Sequence, residues 1–255
     1  MMTTLEANQQ FNRVRKDAET DSNIIAFWLG GSRGKGVVTE FSDYDCVLIV
    51  KDGLLDEYKK KYYAQKTDDI EFWVMTLHEF RNHALWESQF AWDRYNYAHI
   101  KPIIDKTGGE IEKLFLDKSV IPADKIKEVV SGYLDAYINQ IYRSMKCFRD
   151  DNQAASQFEA VESINWLFSS LFGLEGRLRP YYKYIQWELK NYPLKYIPWR
   201  SEELLEKVLN IIKTGNIQTQ QELLKSIEPL FREKGYGEVF DGWEKKIDWM
   251  KTYGG

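Results

Sequence analysis

The sequence predicts an α/β (α+β) unit with a small mixed sheet in residues 1–120, followed by an all-α helical domain in residues 121–255. Three observations predict this division. Short apolar runs closed by glycine or turn residues mark buried strands early in the chain. From about Asp124 onward, apolar residues recur almost throughout at helical spacing. Between the two lies Lys118-Ser119-Val120-Ile121-Pro122-Ala123, which reads as a linker.

The elements follow in order. Leu5 to Ala18 has the spaced apolar positions of an amphipathic helix. Ile24 to Leu29 is an apolar and aromatic run ending in Gly30-Gly31, and Asp45 to Val50 is a second, closed by Lys51-Asp52-Gly53. Leu54 to Gln65 is charged and helical, and Ile70 to Thr76 is a third strand. In the second part, Ile126 to Phe148 and Ser156 to Leu174 read as helices. So does Ser201 to Ile212, with Ser201 as N-cap and acidic residues in the first turn. Gly215 and the prolines at 180, 193, 198 and 229 punctuate this part.

Composition bounds the function. With 44% hydrophobic and 15% aromatic residues, the 255-residue chain can build real cores. A net charge of −4 argues against a protein whose main task is gripping long nucleic acids. The polar N-terminus and the lack of any run near the roughly 20 apolar residues of a membrane span predict a cytoplasmic protein without a membrane partner. Cys46 and Cys147 lie far apart, outside any disulfide or zinc pattern, and Cys46 reads as a small core residue.

The chemistry is concentrated in Leu29-Gly30-Gly31-Ser32-Arg33-Gly34-Lys35-Gly36 and Phe41-Ser42-Asp43-Tyr44-Asp45. Glycines directly after a strand let the backbone approach a ligand, and a helix starting there would aim free N–H groups at phosphate. The Ser32 hydroxyl can bond a phosphate oxygen, and Arg33 or Lys35 can neutralise its charge. Asp43 and Asp45, two apart at the start of a strand, point the same way and make an oxygen-rich site suited to magnesium. Glu71, a charge in the apolar run Asp69-Ile70-Glu71-Phe72-Trp73, is the expected third carboxylate. A bare Gly-Gly-Ser is usually only a turn and a bare Asp-x-Asp a solvated strand end. Their combination, eleven residues apart between two apolar strands, is far more specific.

Gly31-Ser32-Arg33-Gly34 with Ser42-Asp43-Tyr44-Asp45 resembles the signature of the DNA polymerase beta-like nucleotidyltransferase superfamily. The resemblance is to the branch holding aminoglycoside and lincosamide nucleotidyltransferases and the minimal nucleotidyltransferases of toxin–antitoxin pairs. The close match covers about residues 24 to 76. It implies that Asp43, Asp45 and Glu71 hold two magnesium ions, with Asp69 next in line should Glu71 not serve, and that Gly31 and Ser32 hold the triphosphate of ATP or another NTP. It further implies an acceptor site between a catalytic and a helical domain, as in the antibiotic-modifying members. The implied reaction is in-line attack by a hydroxyl on the α-phosphorus, releasing pyrophosphate.

For a general base the candidates are Glu87, Asp93, Glu159 and Glu162, with Asp93 first. Tyr142, Arg143, Lys146 and Arg149 form a basic helix face, a candidate triphosphate contact or simply a solvated face. The aromatic and basic stretch from Leu174 to Tyr184 suits stacking or packing equally. Histidines 78, 83 and 99 have no metal-ligand spacing and receive no role. The leading expectation is transfer of AMP to a small molecule such as an aminoglycoside-like antibiotic, by a monomer or homodimer. The alternatives are an RNA or protein acceptor, or a non-catalytic nucleotide-binding regulatory module.

Overall fold

A computed structural model describes residues 4–254. The chain divides into two compact units, the first ending at Val120 and the second beginning at Ile121.

The first unit holds a four-stranded mixed sheet in the order β3-β2-β1-β4. Its strands are β1 (Ile24–Leu29), β2 (Tyr44–Val50), β3 (Ile70–Thr76) and β4 (Ile104–Asp105). β1 runs antiparallel to both β2 and β4, and β2 runs parallel to β3. The parallel pair needs a crossover, which α3 (Leu55–Tyr63) supplies.

Side chains alternate between the faces of a strand, so each strand of the central pair serves two purposes. Tyr44, Cys46, Leu48 and Val50 of β2, with Ile70, Phe72 and Val74 of β3, bury into a core completed by α1 (Thr4–Thr20) and α3. The opposite face carries Asp45, Val47 and Ile49 on β2 and Glu71, Trp73 and Met75 on β3. A second core forms there from Ala26, Trp28, Ile49, Phe80, Tyr97 and Phe115. It is roofed by α4 (Leu77–Asn82), a 3-10 helix over Ala91–Tyr97, and α5 (Glu110–Lys118). Trp28 centres this cluster, with ring centroids 5.0 Å from both Phe80 and Phe115.

The second unit is helical: α6 (Ile126–Arg149), α7 (Gln153–Gly173), α8 (Tyr182–Asn191), α9 (Ser201–Thr214), α10 (Ile217–Glu233), α11 (Gly237–Asp241) and α12 (Lys245–Thr252). α7 starts where the Asn152 side chain accepts from the Ala155 N–H. α6 and α7 pack closely at Gly173, where a Cβ would stand 2.9 Å from Val130 Cγ2. One apolar core runs from Val130 to Met250.

Two expectations are corrected here. Ser201 does not cap α9: Arg200 occupies the N-cap, and the Ser201 hydroxyl donates to the Leu189 carbonyl at 2.8 Å. Pro229 does not punctuate but lies inside α10, a position where it costs the helix one backbone hydrogen bond. Among the described residues no helix is long and apolar enough to cross a membrane.

Candidate active site

The Gly-Gly turn and the Asp-x-Asp strand meet at the end of β1. The Gly30 N–H donates to the Asp45 carbonyl at 2.8 Å. Gly31 has φ +53°, and a Cβ on it would stand 1.9 Å from Asp45 Oδ2. Glycine is therefore required twice, once by backbone conformation and once by the carboxylate lying against it. The helix that follows, α2 (Gly31–Gly34), is a single turn. Its macrodipole is accordingly small, and the turn contributes close backbone approach more than field.

Asp45 and Glu71 are register partners across the parallel β2–β3 pair. Their Cα atoms are about 4.8 Å apart at ordinary strand spacing. Both line a cavity of 320 Å³ together with Gly30, Gly31, His83 and Asp93. Its aromatic wall includes Trp73, Phe90 and Trp92, which are 56%, 43% and 66% exposed. Large rings left in water beside paired carboxylates are what a ligand site needs, since solvent-exposed apolar surface is costly unless something covers it. A larger cavity of 630 Å³ lies among α7, α8 and α9, mostly apolar with Gln186, Glu202 and Glu206 at its wall, and it holds no carboxylates paired in strand register. The chemistry is in the smaller one.

The other expected residues are placed differently. Asp43 stands one residue before β2 and is outside that lining. Arg33 is engaged by its own loop: its Nε and Nη2 donate to the carbonyls of Ser42 and Asp43 at 2.8 to 3.2 Å, and its guanidinium carbon lies 3.8 Å from the Tyr44 ring centroid. It clamps the loop that carries Asp43. Lys35 is buried, and its ammonium donates to the carbonyls of Tyr95 (2.9 Å), Asn96 (3.3 Å) and Ala98 (2.5 Å). Three carbonyls use an ammonium's three donors, so Lys35 ties the glycine loop to the 3-10 helix and its exit. Arg143 and Lys146 belong to the second unit, where Arg143 pairs with Glu159 at 2.5 Å.

Glu71 accepts from Lys66 at 2.6 Å. Among the described residues, no three His, Cys, Asp or Glu side chains are gathered closely enough to hold an ion. The donor chemistry nonetheless fits a hard divalent cation, because Asp45 and Glu71 are adjacent carboxylates on one sheet face. Lys66 already neutralises one of them and is itself half exposed, so a cation can replace it at little cost. On the reverse face, burial and the neighbouring Asp45 push the Cys46 thiol pKa up, keeping it protonated and inert.

The residue that sequence reasoning missed is His83. Its Nε2 lies 2.7 Å from Asp93 Oδ2, while Asn96 Nδ2 donates to Asp93 Oδ1. The pair sits ten residues apart across a loop, so no periodicity or ligand spacing exposes it. The nearest sequence signal is a histidine flanking an aromatic stretch that contains a carboxylate. Two buried cations support the loop. Lys118 donates to the carbonyls of Arg81 (3.1 Å) and His83 (2.5 Å), and Arg94 donates to that of Ala84 (3.0 Å). Burial, with repulsion from Arg94, pushes the Lys118 ammonium pKa down to about 8.

Comparison with known proteins agrees with this construction. Residues 11–92, which contain β1, β2, β3 and the cavity's Asp45 and Glu71, match the sequence model of the family described as Nucleotidyltransferase domain. No curated protein matches the chain. Residues 11–92 thus match a nucleotidyltransferase domain, which supports the DNA polymerase beta-like nucleotidyltransferase superfamily and a transferase of phosphorus-containing groups.

Proposed function

We propose that the protein transfers a nucleoside monophosphate, AMP foremost, from a nucleoside triphosphate to a hydroxyl of a small-molecule acceptor, with magnesium. The observation that carries this reading is the Asp45 carboxylate seated against Gly31 and in register with Glu71, inside a cavity walled by exposed rings. Residues 1–120 then form the catalytic domain and residues 121–255 a helical second domain. Asp43, Asp45 and Glu71 are the residues that would hold magnesium, which when bound neutralises charge on the attacked phosphate and the leaving pyrophosphate.

The chain's own residues do the rest. The Gly30-Gly31 turn admits the triphosphate to the backbone, and the Ser32 hydroxyl adds a charge-assisted hydrogen bond. Arg33 fixes the Asp43 loop from behind. Trp73, Phe90 and Trp92 offer apolar faces to an acceptor with a ring system. The carboxylates among them favour one that is cationic, as aminoglycoside-like compounds are.

The test is to incubate the protein with magnesium and α-labelled nucleoside triphosphates, alongside an aminoglycoside and lincosamide panel and a cell extract, and to follow the label. Label on one small molecule with pyrophosphate release is the expected result. Label on RNA or protein would replace the acceptor class. Neither label transfer nor pyrophosphate would overturn the reading.

A further inference from the structure

The geometry points to His83 as the general base that takes the acceptor hydroxyl's proton, with Asp93 and Asn96 as the residues that set its tautomer. This inference rests on the transfer reading above. It starts from the hydrogen-bonding capacity of one carboxylate. Asp93 Oδ1 accepts from Asn96 Nδ2 and Oδ2 faces His83 Nε2 at 2.7 Å. A carboxylate fixed through one oxygen by Asn96 and facing an imidazole with the other is placed to orient that ring. Asp93 therefore positions and does not itself act.

An ionised carboxylate only accepts, so His83 Nε2 carries the proton and Nδ1 keeps its lone pair. The ring is also held between two others, tilted at 5.4 Å from Phe90 and edge-on at 6.3 Å from Tyr97. His83, Asp93, Phe90 and Tyr97 line the same 320 Å³ cavity as Asp45 and Glu71. A volume of that size puts every wall within reach of one substrate.

The loop is built to present this ring. Ala84, directly after it, has φ +51° and is fully buried. A left-handed backbone is disfavoured for an alanine, and such strain persists where surrounding contacts over-determine it. Those contacts are the Arg94 bond to the Ala84 carbonyl and the Lys118 bond to the His83 carbonyl. The charged groups around the imidazole are thus Asp93 on the 3-10 helix, Arg94 and Lys118 behind the loop, and Asp45 and Glu71 across the cavity.

In the reaction the acceptor oxygen bonds to the α-phosphorus while its proton passes to His83 Nδ1. The bond from that phosphorus to the bridging oxygen breaks, and pyrophosphate leaves with the electron pair. The Asp93 carboxylate offsets the charge on the imidazolium that forms.

The chain has three histidines, so nitrogen-15 NMR of the full-length protein, assigned with His78→Gln and His99→Gln, reads the tautomer of His83 directly. The expected state is a proton on Nε2. In Asp93→Asn, Asn96 keeps the amide oxygen on its own side, the amide NH2 faces His83, and the proton moves to Nδ1. His83→Asn removes only the imidazole, because Lys118 and α4 hold the backbone of residue 83.

Both variants should bind Mg–ATP as wild type does, followed by tryptophan fluorescence. Both should release pyrophosphate about 100-fold more slowly or worse, with water as acceptor. A wild-type proton on Nδ1, or release by His83→Asn within about threefold of wild type, would overturn the assignment. Failure of the transfer reading looks different: wild type itself would neither bind nor cleave Mg–ATP.

Discussion

The two faces of the β2–β3 pair are made by alternate residues of the same strands, yet they obey different rules. On one face every position from Tyr44 to Val50 and from Ile70 to Val74 is apolar and buried. On the other, the sequence goes from carboxylate at the strand starts to apolar further along: Asp45, Val47, Ile49 and Glu71, Trp73, Met75. The difference teaches where stability and chemistry are kept apart. The first face has no freedom to be anything but core. The second buries its far end under Phe80 and Phe115 and leaves its near end, with two acids and an exposed tryptophan, to a ligand.

The comparison predicts effects that separate by face. Asp45→Asn should lower nucleotidyl transfer by about a thousandfold or more, since a lost metal ligand removes several kcal/mol of transition-state stabilisation. Its unfolding free energy should stay within about 1 kcal/mol of wild type. A transfer assay beside a denaturant titration checks both.

Leu48→Ala, on the other face of the same strand and fully buried, should do the reverse. It should cost about 2 to 5 kcal/mol in a urea titration while the folded fraction keeps its turnover per molecule.

Gly31→Ala couples the two faces' concerns, because its Cβ meets Asp45 Oδ2 at 1.9 Å on a backbone with φ +53°. It should cost about 1 to 3 kcal/mol of stability and, by displacing Asp45, about 100-fold in rate. Equal activity in this variant would break the claimed contact between glycine turn and carboxylate. Trp73→Ala should change stability by no more than about 0.5 kcal/mol, as an exposed side chain does. Its effect should appear as a raised KM for the acceptor.

The same contrast explains what was legible in the sequence. β1 and β3 have the bounds their apolar runs predict, because both faces of those strands need apolar residues over most of their length. β4 has two residues and no pattern to read. α4, α5 and the 3-10 helix are short and take their shape from the aromatic cluster they cover, which only the tertiary structure assembles. In the site, Gly31, Asp45, Glu71 and Asp93 line one cavity, and each is flagged locally by a glycine after a strand or a charge among apolar neighbours. For Arg33 and Lys35 the structure shows backbone carbonyls as partners, which the sequence does not reveal. A cation beside a Gly-Ser turn can serve phosphate or backbone carbonyls, and the sequence does not show where its apolar stem runs. His83 was hidden because its partner lies ten residues on and its meaning comes from a hydrogen bond, not a spacing.

The central claim is that the Asp45 end of the cavity binds a magnesium nucleotide. Calorimetric titration of ATP into the full chain, with magnesium and then with EDTA, tests it without knowledge of the acceptor. Saturable binding that requires magnesium and disappears in Asp45→Asn is the expected result. Binding indifferent to both the metal and the substitution, or no binding by wild type, would contradict it.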